Sequence, residues 1–379
     1  MGEARLRPAW AVVDLDAVTA NTRALAGLVR PAEVCAVVKA NGYGHGAEAV
    51  ARAALRGGAT RLGVALAEEG IALRKAGIDA PILLLSQPVN AAMVDVVKHG
   101  LTATVYSDTA VDALAKAAKR HATNAAVHVK VDTGLHRVGA EPDAAVIIAT
   151  HVAETAGLEL EGFYTHLAVS EDLGRTGVTN AALDRFDAAV EKLAAHGIEP
   201  PLLHAANSGG ALGHPRSRYD MVRAGIAIYG YSPGPDVAGR LPLVPAMELR
   251  ARVTHVQRLA AGEGVSYGLR YTTPRSTVIA TIPLGYADGV PRALSAAHGC
   301  VLVDGVRAPI AGTITMDQMM VDCGPESGVA PGDDVVLLGT QGGETITADD
   351  WAERLGTISY EVLCGIGPRV PRRMTGAAS

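Results

Sequence analysis

Aromatic carbon is scarce in this sequence: two phenylalanines and two tryptophans stand beside ten tyrosines in 379 residues, so most aromatic surface carries a hydroxyl. The four cysteines, Cys35, Cys300, Cys323 and Cys364, have no CxxC spacing, and the 12 histidines form no HExxH. Neither a zinc site nor a disulfide framework is signalled, and buried reduced thiols are expected. Long hydrophobic runs are missing: stretches such as 82–85 fall far short of the ~20 apolar residues that span a bilayer. Residues 1–10 are polar, without the apolar core of a secretory signal, which makes the cytoplasm the expected location. A basic excess is absent too, since 34 Lys and Arg face 39 Asp and Glu for a net charge of −5. That removes the footprint of a nucleic-acid or membrane-surface binder and leaves a small-molecule partner. Lysine is rare, with seven among the 34 basic residues, so chemistry that needs a primary amine has a short list of candidates. No GxGxxG opens a helix after the first strand-like run, and a dinucleotide-binding fold loses its main support.

What is present is an apolar fraction of 49%, enough in a chain of this length for two cores. Between about residue 15 and residue 228, short apolar or β-branched runs alternate with amphipathic helical stretches such as 110–120 and 181–196. The runs are 34–38, 62–65, 82–85, 101–105, 126–131, 158–164, 202–205 and 219–222. Eight such units suit a closed (β/α)8 TIM-like barrel, an α/β fold, better than an open sheet. After Ser232-Pro233-Gly234-Pro235 the helical period stops and β-rich runs follow at 247–259, 277–282, 300–303, 319–322 and 335–338, with one helix near 348–355. The expected division is an N-terminal strand at 1–13, a barrel at 14–240 and a mainly β domain at 241–379. The early run 10–15 fits a barrel strand or the β domain equally well.

In a barrel enzyme the chemistry gathers just beyond the C-terminal ends of the strands. The first run ends at Lys39, inside VVKANGYGHG; the fifth carries Lys130 and leads to Asp132 and Arg137. The sixth ends at His166, the seventh at Asn207-Ser208, and the eighth at Arg223-Ala224-Gly225. Lys75, Lys98, Lys116, Lys119 and Lys192 fall on helices as solvated charges, so Lys39 and Lys130 are the two candidate pocket amines. Burial lowers an amine's pKa and suits it to Schiff-base chemistry, although a solvated lysine at a strand end satisfies the same pattern.

Motifs in this order resemble the alanine racemase family over nearly the whole chain: AVVKANGYGHG, VKVDTGLHRVG, THLA, NSGG, MVRAGIAIYG, VSYG at 265–268, IPLGYADG at 282–289 and MDQMMVD at 316–322. The resemblance implies pyridoxal 5'-phosphate as cofactor and a cytoplasmic homodimer whose sites draw on both subunits. It also implies L-/D-alanine as substrate, supplying D-alanine as a peptidoglycan precursor. Lys39 would hold the cofactor as an aldimine and act as base on one face, with Tyr267 of the partner subunit as base on the other. Two bases suit racemisation, because the α-proton leaves one side of a planar centre and returns to the opposite side. Arg223 would face the pyridine nitrogen with His166 behind it. Arg137 would contact the substrate carboxylate, Lys130 would be carbamylated to fix Arg137, and the Met316 backbone would receive the carboxylate. Tyr43, Asn207, Ser208, Gly225 and Ile226 would hold the cofactor, its phosphate through hydroxyl and backbone donors, and Tyr286 would narrow the entrance. No metal is implied.

Two positions depart from the family pattern. Pro368 stands where a phosphate-binding tyrosine often precedes RVPR, with Tyr360 too early in the chain to replace it without rearrangement. Thr313 stands where an arginine near the entrance is common. A broad-specificity racemase is the alternative that keeps every assignment, because Thr313 removes bulk. A decarboxylase on the same fold predicts an acid at the pyridine nitrogen, which Arg223 contradicts. A pyridoxal-phosphate carrier without catalysis needs neither the β domain nor Tyr267.

Overall fold

The parallel strands are short and almost wholly apolar, as strands covered on both faces must be. In the computed structural model, which describes residues 6–377, they are β2 (Glu33–Val37), β3 (Arg61–Val64), β4 (Ile82–Leu84), β5 (Ala103–Val105), β6 (Ala125–Lys130), β7 (Leu158–Tyr164), β8 (Leu202–His204) and β9 (Met221–Ala224). Positions 1–5 and 378–379, the outer ends of the expected N-terminal strand and β domain, lie outside the described residues. The eight strands pair in parallel as two sheets of four, β4-β3-β2-β9 and β5-β6-β7-β8. Hydrogen bonds close both seams. Leu84 N–H donates to Thr102 O at 3.0 Å, and Arg223 N–H donates to Ala206 O at 2.9 Å. The result is the (β/α)8 barrel.

Helices such as Asp108–His121, Pro142–Glu154 and Thr176–Ala195 follow their strands. Their buried residues recur at helical spacing, for example Ala110, Val111, Leu114, Ala117 and Ala118, so burying one apolar stripe fixes each helix. The eighth run begins later than expected, at Met221. Tyr219 has a left-handed φ of 44° and donates its hydroxyl to Asp187 at 2.6 Å, so the extended chain starts only after it.

Two compact units divide the chain, one of Asp16–Gly42 with Ala47–Val244, the other of residues up to Leu15, Tyr43–Gly46 and everything from Pro245 onward. The second unit holds β1 (Ala9–Asp14), β10 (Met247–Arg252), β11 (His255–Leu259), β12 (Gly264–Val265), β13 (Tyr271–Thr272), β14 (Thr277–Ile282), β15 (Cys300–Val303), β16 (Val306–Pro309), β17 (Met319–Gly324), β18 (Asp334–Gln341), β19 (Glu344–Ile346) and β20 (Arg372–Thr375). Its main sheet runs β16-β15-β18-β10-β1-β20, a second sheet runs β11-β14-β17, and β12 and β13 form a hairpin. The early run is thus β1, antiparallel to β10 and parallel to β20. The single expected run 247–259 breaks after Arg252, and β10 and β11 enter different sheets. The helix Ala348–Leu355 falls where its period placed it, while the seven-residue helix Ser359–Gly365 is too short to show one.

The expectation of buried thiols fails for three cysteines: Cys35 is buried, Cys300 and Cys323 are half-buried, and Cys364 is exposed. No helix among the described residues is long and apolar enough to cross a membrane.

Candidate active site

Strand β2 delivers Lys39 through an unusual turn. Beyond Val37 the backbone of Ala40, Asn41 and Gly42 takes left-handed angles, with φ of 51°, 53° and 63°, and Tyr43 follows at 51°. A left-handed helical turn costs about 1–2 kcal/mol for each L-residue, because Cβ crowds the following carbonyl. Specific bonds hold it in place. Gly42 N–H donates to Val38 O at 2.9 Å, Ala47 N–H donates to the Asn41 side chain at 3.1 Å, and Ala40 N–H donates to Glu69 Oε1 at 2.6 Å. The other carboxylate oxygen of Glu69 accepts the N–H groups of Ala65 and Leu66 at 2.9 and 3.1 Å. One carboxylate thus ties the Lys39 turn to the start of the helix Ala67–Lys75.

Strand β6 presents His128 and Lys130, two residues apart and both buried, as the period of a strand requires. Lys130 Nζ lies 3.4 Å from Leu85 O and 5.4 Å from the centre of the Tyr164 ring. Burial, then the positive charges of Arg223, Arg137 and Lys39, outweigh Asp132 and pull the Lys130 amine down to about 7. Tyr164 donates its hydroxyl to the same Leu85 carbonyl at 3.1 Å, while Thr104 contacts that hydroxyl at 2.9 Å. Arg137 is exposed on the loop after β6, where Asp132 collects the N–H groups of Gly134, Leu135 and His136.

Arg223 is buried within β9 rather than just beyond its end. One terminal nitrogen donates to His204 Nδ1 at 2.6 Å, and the other reaches Thr165 O, Ala205 O and His166 Nδ1 at 2.8, 2.9 and 3.1 Å. Guanidinium only donates, so both imidazoles accept there and are neutral. Burial, then the charge of Arg223, holds His166 and His204 well below the usual histidine value, in agreement with the geometry. The direction of donation continues inward. His204 Nε2 donates to His128 Nδ1 at 2.8 Å, and His128 Nε2 donates to Glu161 at 3.0 Å. Burial works against the Glu161 charge, but the hydrogen bonds from His128 and Arg61 and the charge of Arg61 prevail and hold the carboxyl at about 2. A Cβ on Gly162 would lie 2.4 Å from His128 Nδ1, so only glycine leaves room for this imidazole.

Asn207 caps the short helix Ser208–Gly213 by accepting Gly210 N–H at 2.9 Å, and it also accepts the Ser170 hydroxyl at 2.6 Å. Ser208 is buried, and its oxygen accepts Gly225 N–H at 3.0 Å and Ala227 N–H at 3.4 Å. Its hydroxyl proton remains to be donated. Ile226 is buried directly after Gly225.

In the second unit Tyr43 is buried, its phenol pushed up by burial and then by Cys364, and its ring centre lies 6.0 Å from that of Tyr360. Tyr360 thus packs beside Tyr43, and Pro368 is exposed. Tyr267, Met316 and Tyr286 are exposed at 75%, 52% and 43%, which sets them apart from the buried barrel residues. Backbone bonds bring Tyr286 and Met316 together: Tyr286 N–H donates to Thr315 O at 3.0 Å and Ala287 N–H to Met316 O at 3.1 Å. Thr313 is buried and hydrogen-bonded to the Tyr267 turn.

The donors suit an anionic, ring-shaped cofactor. Both terminal nitrogens of Arg223 are engaged by protein, and Nε–H takes part in none of these bonds. The Ser208 hydroxyl and the neighbouring backbone offer phosphate partners, and Lys39 offers an amine. Sequence reasoning missed Glu69, Tyr164, His204, His128 and Glu161. His128 was legible from its spacing to Lys130, and His204 from its place just before NSGG. Glu69, 29 residues from its partner, left no local signal.

Comparison with known proteins gives a consistent result. The family model "Alanine racemase, N-terminal domain" matches residues 13–233, and "Alanine racemase, C-terminal domain" matches 246–374. An alanine racemase of Symbiobacterium thermophilum is 47% identical over 97% of each chain. A solved alanine racemase of Clostridium difficile 630 superposes with a TM-score of 0.93 at 36% identity, covering 99% of this chain and 97% of that one. A histidine racemase of Leuconostoc mesenteroides superposes at 0.88 with 28% identity, covering 99% and 100%.

Proposed function

This chain belongs to the alanine racemase family, and from that premise we infer that it is an isomerase interconverting L-alanine and D-alanine with pyridoxal phosphate and two bases. The observation that carries the mechanism is Arg223, a buried cation flanked by two neutral histidines. When bound, pyridoxal phosphate supplies the electron sink that makes the substrate α-proton acidic. Arg223 keeps its own proton and so would leave that sink weak, which would favour return of the α-proton over decarboxylation or transamination.

Lys39 holds the cofactor and exchanges the proton at Nζ on one face, its position fixed by the Glu69-anchored turn. Tyr267 of the partner subunit exchanges it at the phenol oxygen on the other. Arg137 and the Met316 backbone orient the carboxylate. Lys130, near neutral pH an amine rather than a fixed cation, adds to CO2 with loss of a proton and becomes an anion beside Arg137. Ser208, Gly225, Ile226 and Tyr43 would hold the phosphate, with Asn207 shaping the turn at Ser208 and His166 supporting Arg223. Tyr286 narrows the entrance. The exposure of Tyr267 and Met316 supports a homodimer with shared sites, and a cytoplasmic location belongs to the same reading.

A broad-specificity racemase is the second reading, favoured by the likeness to a histidine racemase at 28% identity. One experiment separates the readings. Purified protein with pyridoxal phosphate is incubated in D2O with L-alanine, then with L-serine and L-histidine, and D-enantiomer and α-deuterium are followed together. We expect matched appearance of both signals with alanine and little with the larger substrates. Deuterium without D-alanine overturns racemisation, and equal rates on all three overturn alanine specificity.

A further inference from the structure

The turn that carries Tyr267 is strained, and its sequence does not explain why it keeps its shape. Between β12 and β13, Ser266 has φ +63° and Leu269 φ +46°, both left-handed for L-residues, with Gly268 at +75° between them. Within the turn, Leu269 N–H donates to Ser266 O at 3.1 Å. Below it, Val265 is buried with Ile279 and Ala311, and Ala311 N–H donates to Met320 O at 2.8 Å, which ties residue 311 to β17. Gly312 follows so closely under the turn that a Cβ there would lie 2.4 Å from Val265 O.

The next residue, Thr313, closes the contact in both directions. Its carbonyl accepts the Ser266 hydroxyl at 2.6 Å, and its own hydroxyl donates to the Tyr267 carbonyl at 3.0 Å. Thr313 is 5% exposed while Tyr267 is 75% exposed, so the phenol projects from a backbone held on its buried side. Thr313 N-terminally follows a fixed strand bridge, and after it Ile314 N–H donates to Ser295 Oγ at 2.8 Å, so the clamp itself has little freedom.

We propose that Thr313 is a positioning residue for the second base: with Ser266 it forms a reciprocal clamp that holds the Tyr267 turn in its strained conformation. The proposal rests on the reading of Tyr267 as a base. It gives the position where the family often has an entrance arginine a different task in this chain. A base must reach the α-carbon to within a fraction of an ångström, and a misplacement of about 1 Å costs on the order of 100-fold in rate. A phenol on an exposed turn is the side of the mechanism most open to such error.

The test compares Thr313→Val, Thr313→Ser, Ser266→Ala and Tyr267→Phe holoenzymes. Thr313→Val keeps the shape and loses the hydroxyl, and should lower kcat roughly 10- to 100-fold with KM nearly unchanged. Thr313→Ser should stay within about threefold of wild type, since it keeps the donor. In D2O, Thr313→Val should slow α-deuteration of one alanine enantiomer, the one whose proton faces Tyr267, far more than that of the other, which Lys39 serves. Amide hydrogen exchange read by mass spectrometry on the peptide 264–272 should be faster in Thr313→Val and Ser266→Ala and unchanged in Thr313→Ser. Should Thr313→Val fail to fold, Ser266→Ala tests the same clamp from its other end. Wild-type kcat and exchange in Thr313→Val, or equal slowing of both enantiomers, overturns the clamp while an inactive Tyr267→Phe leaves the base in place. A Tyr267→Phe enzyme that still racemises overturns the base, whatever the clamp variants do.

Discussion

Lys130 shows how far a fold can change one residue. The same amine on a helix surface, as at Lys192, pairs with Asp143 in solvent. At the end of β6 it is buried among Arg223, Arg137 and Lys39, and its pKa falls from 10.5 to about 7. Between those two values the unfolded chain binds a proton that the folded chain has released, so folding is penalised at the lower pH. The penalty is complete below about pH 7 and fades as pH rises toward 10.5. In bicarbonate-free buffer, the urea midpoint of wild type should therefore rise, relative to Lys130→Met, between about pH 7 and about pH 9.5. Added bicarbonate should stabilise wild type and leave the variant unmoved, because carbamylation converts a crowded cation into an anion. Parallel behaviour of the two proteins in both experiments would mean that the amine is not held neutral.

At the scale of the element, the left-handed turn after β2 places the catalytic candidate and depends on a carboxylate from another element. Removing it in Glu69→Ala leaves three N–H groups, of Ala40, Ala65 and Leu66, without their acceptor. Bonds to a charged acceptor contribute about 1.5–3 kcal/mol each, reduced here because Ala40 and Leu66 are exposed and water can replace the carboxylate. A loss of about 1–2 kcal/mol in urea unfolding is expected, with kcat falling further than stability accounts for. Near-wild-type kcat in a destabilised protein would show that Lys39 needs no such anchor. This turn also marks where the sequence stops being legible. The parallel strands were readable because each is a short apolar run covered on both faces, and Lys39, Lys130 and Arg223 because they lie at or near strand ends. Glu69 was not, since its bond to Ala40 spans 29 residues and Ala40 carries no preference for left-handed backbone. The relay from Arg223 through His204 and His128 to Glu161 crosses three further strands, and pairing across a barrel is set by closure rather than by neighbours in the chain. Tyr219 misled the start of β9 in the same way, its aromatic ring reading as strand while its φ is left-handed.

At the scale of the whole molecule, the candidate residues differ sharply in exposure. Lys130 and Arg223 are buried, whereas Tyr267, Leu269, Met316 and Tyr286 are exposed large side chains on the β-rich unit. Where large exposed side chains lie together they favour an interface, and a closed twofold dimer is the commonest way to cover one. If each site combines Lys39 of one subunit with Tyr267 of the other, two inactive variants must complement. A hybrid of Lys39→Ala with Tyr267→Phe contains one site with both lesions and one with neither. Random exchange of equal amounts makes about half of the dimers hybrids, each with one of its two sites intact, so activity should recover to about a quarter of wild type. If Lys39 and Tyr267 of the same subunit formed the site, every site in the mixture would carry one lesion and nothing would return. Separately tagged subunits, with the hybrid isolated through both tags, distinguish absent exchange from absent complementation. The isolated hybrid should then show about half the wild-type activity, because the random mixture's other half consists of inactive parental dimers.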